Sequence, residues 1–151
     1  MEKKLLYSSF IWAFIGVASG VYYRELTKFS EFAFDVPQQL STVHTHLLVL
    51  GFIIQLLALV AMKVLRAAPG KAASVFFWFW NIGVLITGGM MVFKGTLQVL
   101  GDPANSAAFA GIAGLGHISL TVGLVALFLW LKDALKTDTV RLGEREVVEH
   151  V

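Results

Sequence analysis

Cysteine is absent from this 151-residue chain, and charged residues are scarce. Asp, Glu, Lys and Arg together make up only 15% of the residues. Without thiols there are no disulfides, no thiolate metal sites and no Cys-x-x-Cys-His attachment of a covalent heme. Soluble domains average about a quarter charged residues, so the composition argues against one. The formal net charge of +2 is too small to suggest a nucleic-acid partner.

The apolar residues, 57% of the chain, are gathered into four blocks. Each block has about the 20 residues that a membrane-spanning helix needs. The blocks are Leu5–Tyr23, Val43–Leu65, Ala72–Phe93 and Ala107–Leu131. The sequence therefore predicts an all-α, integral membrane four-helix bundle, with a transmembrane domain over residues 1–136 and a polar cytoplasmic tail over residues 137–151.

The basic residues predict how the bundle is oriented. Eight lysines and arginines flank one set of block ends, whereas Arg24, Lys28 and Lys94 flank the other. Cytoplasmic loops carry the excess of basic residues in membrane proteins. We therefore expect both termini in the cytoplasm and a multi-pass protein of the cell membrane, here a bacterial plasma membrane.

Three of the four histidines, His44, His46 and His117, lie inside apolar blocks. Ionisable side chains are costly at membrane depth, so each of them is a candidate functional residue. At 100° per residue His44 shares a helix face with Gly51, whereas His46 points about 200° away, towards lipid or a neighbouring subunit. His117 shares a stripe of small and polar residues with Gly114, and such stripes mark inward faces.

The two predicted inward histidines lie at similar heights. His44 is 19 residues above Lys63 and His117 is 15 above Lys132, which is ~28 Å and ~22 Å along a helix. Two imidazoles that face each other across a bundle suit a b-type heme. We therefore predict His44 and His117 as axial ligands of heme b between the second and fourth helices, near the outer leaflet. Gly51 and Gly114, which have no side chains, would leave space for the porphyrin.

Heme propionates need cationic partners near the membrane surface. Arg24 is the predicted partner because a guanidinium binds carboxylate bidentately, and Lys28 and Lys94 are weaker candidates. Two axial histidines leave no open iron position, which favours electron transfer. A single histidine ligand would favour a role in gas sensing or heme handling.

Two other functions compete with heme binding. One is a copper or zinc site or permeation path that uses His44, His46 and His117 with Met90 or Met91, since imidazole and thioether suit copper and imidazole suits zinc. Residues two apart on a helix do not converge on one ion, which counts against that site. The other is a structural or assembly subunit of a respiratory complex, in which the histidines only pack.

The least favoured hypothesis is that the protein is an enzyme with its own substrate. The blocks contain no carboxylate, nucleophile–base pair, phosphate-binding glycine loop or HExxH pattern. Besides lipid, the predicted partners are a redox protein or quinone and a second copy of the chain. The Gly16-x-x-x-Gly20 spacing, typical of close helix contact, is the predicted surface for that homo-oligomer.

The string from Ser41 to Phe52, STVHTHLLVLGF, resembles the start of the second helix in heme–copper oxidase catalytic subunits. The nitric oxide reductase branch is the most similar, and there a Val-His-Thr-x-Leu-Leu string carries an axial histidine of the low-spin heme. The resemblance implies that His44 is such a ligand. The chain lacks the further histidines of a binuclear centre, so only the low-spin heme half is implied. As a whole it resembles small four-helix membrane families of unknown function.

Overall fold

The chain folds as four long helices in a computed structural model that describes residues 1–32 and 38–149, with side chains up to residue 137. The helices are α1 (Glu2–Phe29), α2 (Leu40–Val64), α3 (Lys71–Val99) and α4 (Ala107–Glu149). The described residues contain no strand. Each helix has a stretch long and apolar enough to cross a membrane. The predicted all-α, four-helix organisation is therefore confirmed.

Helix α4 extends well beyond its apolar block. Its candidate membrane span is Ala107–Thr137, yet the helix continues to Glu149 and so includes most of the predicted tail. Residues 150 and 151 lie outside the described residues. At 1.5 Å per residue the whole helix is about 65 Å long.

Helix α2 is not uniform. Its first turns, Leu40–His46, are α-helical, Leu47–Ile53 is a π-helical segment, and Ile54–Val64 is α-helical again. A π-helix makes i→i+5 hydrogen bonds, is rare, and is frequent at functional sites. The segment begins directly after His46, the last residue of the first part.

Glycines bring α1 and α2 close together. An ideal Cβ on Gly16 would lie 2.9 Å from the Leu48 side chain, and one on Gly51 would lie 2.6 Å from Cβ of Trp12. The spacing of Gly16 and Gly20 therefore does mark a helix contact, as expected. The contact is with α2 of the same chain, so this face is not free for the predicted homo-oligomer.

Helix α4 packs against α3 through a different stripe from the predicted one. Gly116, Gly123, Ala126 and Trp130 are buried, whereas His117 is exposed and Gly114 is half-buried. The prediction that the His117 stripe faces inward is wrong. Small residues occur on both faces of this helix, and it is the Gly116 and Gly123 face that meets α3.

The four helices pair as two hairpins joined through α2 and α3. In the described part of the chain α1 and α4 make no contact, and α4 meets only the last part of α2, Ile54–Val64. We call the end of the bundle with the α1–α2 and α3–α4 connections the outer end, following the predicted orientation. Towards this end α2 and α4 therefore diverge, and α3 lies between them.

Candidate functional site

The space between α2 and α4 at the outer end is a groove of about 390 Å³, here called the outer groove. Its walls come from α2 and α4 and its floor from α3. It is lined by Gln39, His46, Thr87, Met90, Met91, Lys94, Phe109, Ala110, Ala113 and His117. Two of the three candidate histidines, His46 and His117, thus line one cavity.

His46 and His117, which both line this groove, are held by the same kind of hydrogen bond. Nδ1 of His46 lies 2.9 Å from the carbonyl oxygen of Thr42, and Nδ1 of His117 lies 2.8 Å from that of Ala113. A carbonyl only accepts, so each Nδ1 carries the proton and each neutral ring keeps its lone pair on Nε2. Histidines that bind metals are typically held in this way, with the second ring nitrogen donating to a carbonyl or carboxylate.

The floor of the outer groove is one face of α3. Thr87, Met90, Met91 and Lys94 follow the i, i+3, i+4, i+7 spacing that places side chains on one side of a helix. The floor therefore offers two thioether sulfurs in the middle and an ammonium group towards the outer end. Gly114 is not among the lining residues, and no described residue of another helix lies within 4 Å of an ideal Cβ on it.

His44 lies on the opposite side of α2 from the outer groove. It is half-buried, and its Cβ lies 3.6 Å from an ideal Cβ on Gly20 of α1. Its Nε2 is 3.3 Å from Oγ1 of Thr45, and its Nδ1 is buried without a hydrogen-bond partner among the described residues. The structure therefore does not bring His44 and His117 to a common cavity, and it is His46 that joins His117.

The other predicted residues divide between the groove and the rest of the bundle. Met91 lines the groove, whereas Gly51 packs on Trp12. Arg24 has a side chain 77% exposed, 3.4 Å from the Glu25 carboxylate, and it lines a separate outer pocket with Lys28. Lys94, the weaker candidate for a propionate partner, is the cation that lines the groove.

A cluster of amides and an indole fills the middle of the bundle, between α1, α2 and α3. Gln55 is fully buried and exchanges hydrogen bonds of 3.2 Å with Asn81. The Trp12 indole donates to Oδ1 of Asn81 at 2.7 Å, and the Ser8 hydroxyl bonds to Oε1 of Gln55. Because its donors and acceptors are paired with one another, this cluster, here called the central polar cluster, acts as a structural contact.

The metal-binding capacity of the groove is set by its imidazoles and thioethers. Over the described residues no three histidine, aspartate or glutamate side chains come together as a metal site. A metal held in the groove by His46 and His117 would need its remaining ligands from a porphyrin or from Met90 and Met91. Both cases suit a transition metal better than a hard cation such as Mg²⁺ or Ca²⁺.

The chain belongs to the family described as protein of unknown function (DUF2871), whose model matches residues 2–134. Among curated proteins and among solved structures no match is found. The family description names no ligand or activity. The resemblance to heme–copper oxidase helices therefore stays a prediction.

Proposed function

We propose that the protein is a multi-pass membrane protein of the cell membrane that binds a b-type heme in its outer groove, with both termini in the cytoplasm. His46 and His117 are the axial ligands in this proposal, in place of the pair His44 and His117 that helical periodicity favours. One observation carries it: two imidazoles on different helices line one groove, and within the described part of the chain neither Nε2 has a hydrogen-bond partner.

The cost of exposed imidazoles at membrane depth supports this function. His46 and His117 are exposed on the surface of the described bundle. In the hydrocarbon core of a membrane, polar side chains normally face the interior of the helix bundle or a cavity. Removing a polar side chain from water without giving it a hydrogen-bond partner is costly. His46 and His117 would each gain a partner for Nε2 if they held the iron of a porphyrin between α2 and α4, and the apolar walls of the groove would be covered.

The lining of the groove also supports a heme, and its volume is that of a small-molecule site open on one side. Small-molecule sites have volumes of about 300–1,000 Å³, and the groove has about 390 Å³ on one side of an open bundle. Phe109, Ala110 and Ala113 provide apolar contact for a macrocycle. Lys94 lies at the outer end, where a propionate would find its cation, so we assign it the role first expected of Arg24.

The proposed role is electron transfer. When bound, a heme supplies one-electron redox chemistry, and two axial histidines close its iron to exogenous ligands. The chain's part is to hold two imidazoles in fixed tautomers through Thr42 and Ala113, to exclude water, and to place Lys94 beside the propionates. A redox partner or a quinone would exchange the electrons.

The test is an optical spectrum of the detergent-purified protein with alanine variants of all three histidines. Wild type is expected to show the Soret band of a low-spin heme. His46→Ala and His117→Ala should each abolish or strongly shift that band, because each removes an axial ligand. His44→Ala is the matched control and should keep it. A wild-type protein that stays colourless and takes up no added heme contradicts the proposal, and loss of the band in His44→Ala alone returns the ligand role to His44.

Copper is the second candidate occupant, favoured by the two thioethers in the floor. Met90 and Met91 lie in the same groove as His46 and His117, and imidazole with thioether suits copper. Zinc fits less well because it rarely uses thioether ligands. Elemental analysis separates the cases: iron with a porphyrin spectrum supports the heme, and copper without a porphyrin supports this alternative.

A further inference from the structure

The turn of α2 that carries His46 is held against α3 on both sides of that histidine. Before it, an ideal Cβ on Gly95 would lie 2.5 Å from the backbone nitrogen of Leu40. After it, an ideal Cβ on Gly88 would lie 2.7 Å from Cδ2 of Leu47. The missing side chains of these glycines therefore let α2 approach the floor of the outer groove.

A hydrogen bond from α3 adds a third contact, one turn beyond His46. The indole Nε1 of Trp80 donates to the carbonyl oxygen of Leu50 at 2.8 Å, and Trp80 is 4% exposed. Leu50 lies inside the π-helical segment Leu47–Ile53. A second side-chain donor, Nε2 of Gln55, bonds to the next carbonyl, that of Gly51, at 2.8 Å.

These donors lie where α2 is least regular. Helices bend or change pitch where a side chain enters the backbone hydrogen-bond ladder, and π turns are one such place. Trp80 is anchored on α3, the same helix that supplies Met90, Met91 and Lys94. Its bond to Leu50 therefore ties the irregular turn to the helix that forms the groove floor.

We infer that Trp80 is a positioning residue for the outer groove: its indole N–H, bonded to the Leu50 carbonyl, fixes His46 in register with His117. The expected effect on the geometry at the iron rests on the proposed function. The position of His46 relative to His117 is a property of the protein without heme, and it can be tested separately.

Trp130 is a matched control for Trp80. Its indole Nε1 also donates to a backbone carbonyl, that of Ala68 at 3.0 Å, and it too is 4% exposed. Both indoles pack near Phe76, with ring centroids 5.8 Å from Trp80 and 6.4 Å from Trp130. The Trp130 bond lies at the opposite end of the bundle, so Trp130→Phe removes the same kind of interaction without touching the groove.

The first arm of the test measures the register without heme. The chain contains no cysteine, so the double replacement His46→Cys and His117→Cys places two unique thiols across the groove for a short bifunctional thiol reagent. Trp80→Phe in this background is expected to lower the rate of crosslinking about fivefold, the factor that one neutral hydrogen bond of about 1 kcal/mol supports. Trp130→Phe should leave the rate unchanged.

The second arm measures the iron in the heme-loaded protein with its histidines intact. Trp80→Phe is expected to shift the midpoint potential and the electron paramagnetic resonance signature of the low-spin iron, and Trp130→Phe is not. If both variants change both readouts equally, or if Trp80→Phe changes neither, the positioning role is overturned. A further outcome is that the wild-type protein binds no heme while crosslinking is still slower in Trp80→Phe than in Trp130→Phe. That result defeats the proposed function but supports the inference.

A second variant serves if Trp80→Phe does not fold. Gln55→Met removes the other side-chain donor to the π-helical segment, at the Gly51 carbonyl. It should slow the crosslinking reaction in the same direction relative to Trp130→Phe. An unchanged rate in Gln55→Met would then count against a register set by these donors.

Discussion

The two sides of α2 treat their histidines in opposite ways. On the α1 side His44 packs against Gly20, and below it Gln55 belongs to the central polar cluster. On the other side His46 shares an open groove with His117, and among the described residues neither Nε2 has a hydrogen-bond partner. Two residues of sequence thus separate a packing histidine from a candidate ligand, and the neighbouring helix decides which is which.

Hydrogen bonding sharpens this contrast. In the central polar cluster the amides of Gln55 and Asn81 hydrogen-bond to each other, so this cluster does not need a ligand to pair them. In the outer groove the imidazoles use their donors on their own helix, and their Nε2 atoms have no partner among the described residues. Unused hydrogen-bonding capacity does not by itself mark a ligand position, since Nδ1 of His44 is also buried without a described partner; the open groove beside His46 and His117 is the second requirement.

The largest expected effect comes from filling the α1–α2 contact. Gly51→Ala places a methyl group where Cβ of Trp12 would be 2.6 Å away, so we expect a loss of about 3 kcal/mol in the free energy of unfolding. Gly114→Ala is the matched control on the open side, since no described residue of another helix lies within 4 Å of its ideal Cβ. Reversible unfolding in detergent measures both, and equal losses would erase the distinction between a packed and an open side.

Breaking the central polar cluster should cost somewhat less. Gln55→Leu leaves the Ser8 hydroxyl and the Asn81 amide without their buried partner, which is expected to cost about 2 kcal/mol. The same unfolding measurement applies. If Gln55→Leu proves as stable as wild type, the cluster is not the structural contact described above.

Removing the cation of the outer groove should weaken heme binding while the fold persists. Lys94→Gln is expected to lower heme affinity about tenfold, because a charge-assisted hydrogen bond is lost. Arg24→Gln, which alters an exposed side chain in a separate pocket, should bind heme as wild type does. Heme titration followed at the Soret band compares them, and a larger loss in Arg24→Gln would restore the propionate role expected from the sequence.

The smallest effect on heme is expected from the thioethers. Met91→Leu nearly conserves volume, so it should change heme affinity and the free energy of unfolding by less than about 1.5 kcal/mol. If copper is the occupant, the same replacement should strongly reduce the bound metal, because a thioether ligand is lost. Metal analysis and heme titration of one preparation therefore distinguish the two occupants.

Much of the fold follows from hydropathy, because four apolar blocks of membrane length have few other ways to fold. The arithmetic of 100° per residue also puts His44, Gly51 and Gln55 on one face, and all three do contact α1. This arithmetic does not show which neighbouring helix each face contacts. Facing His44 towards the fourth helix assumed a closed bundle, whereas α1 and α4 do not touch in the described residues.

The remaining errors have similar physical causes. Helix α4 carries glycines on two faces, and composition alone does not say that Gly116, not Gly114, meets α3. The π-helical segment Leu47–Ile53 contains no proline. The side chains that donate to its carbonyls, Trp80 and Gln55, lie outside the segment, so its own residues do not reveal it. The i, i+3, i+4, i+7 series from Thr87 to Lys94 was the signal that could have located the groove floor.

The most direct test of the account is near-infrared magnetic circular dichroism of the oxidised, detergent-purified protein, which reports the two axial ligands of a low-spin heme. We expect the signature of two histidine ligands in wild type and in His44→Ala, and its loss in His46→Ala and in His117→Ala. A histidine–methionine signature, or a bis-histidine signature that survives His46→Ala and vanishes in His44→Ala, would contradict it.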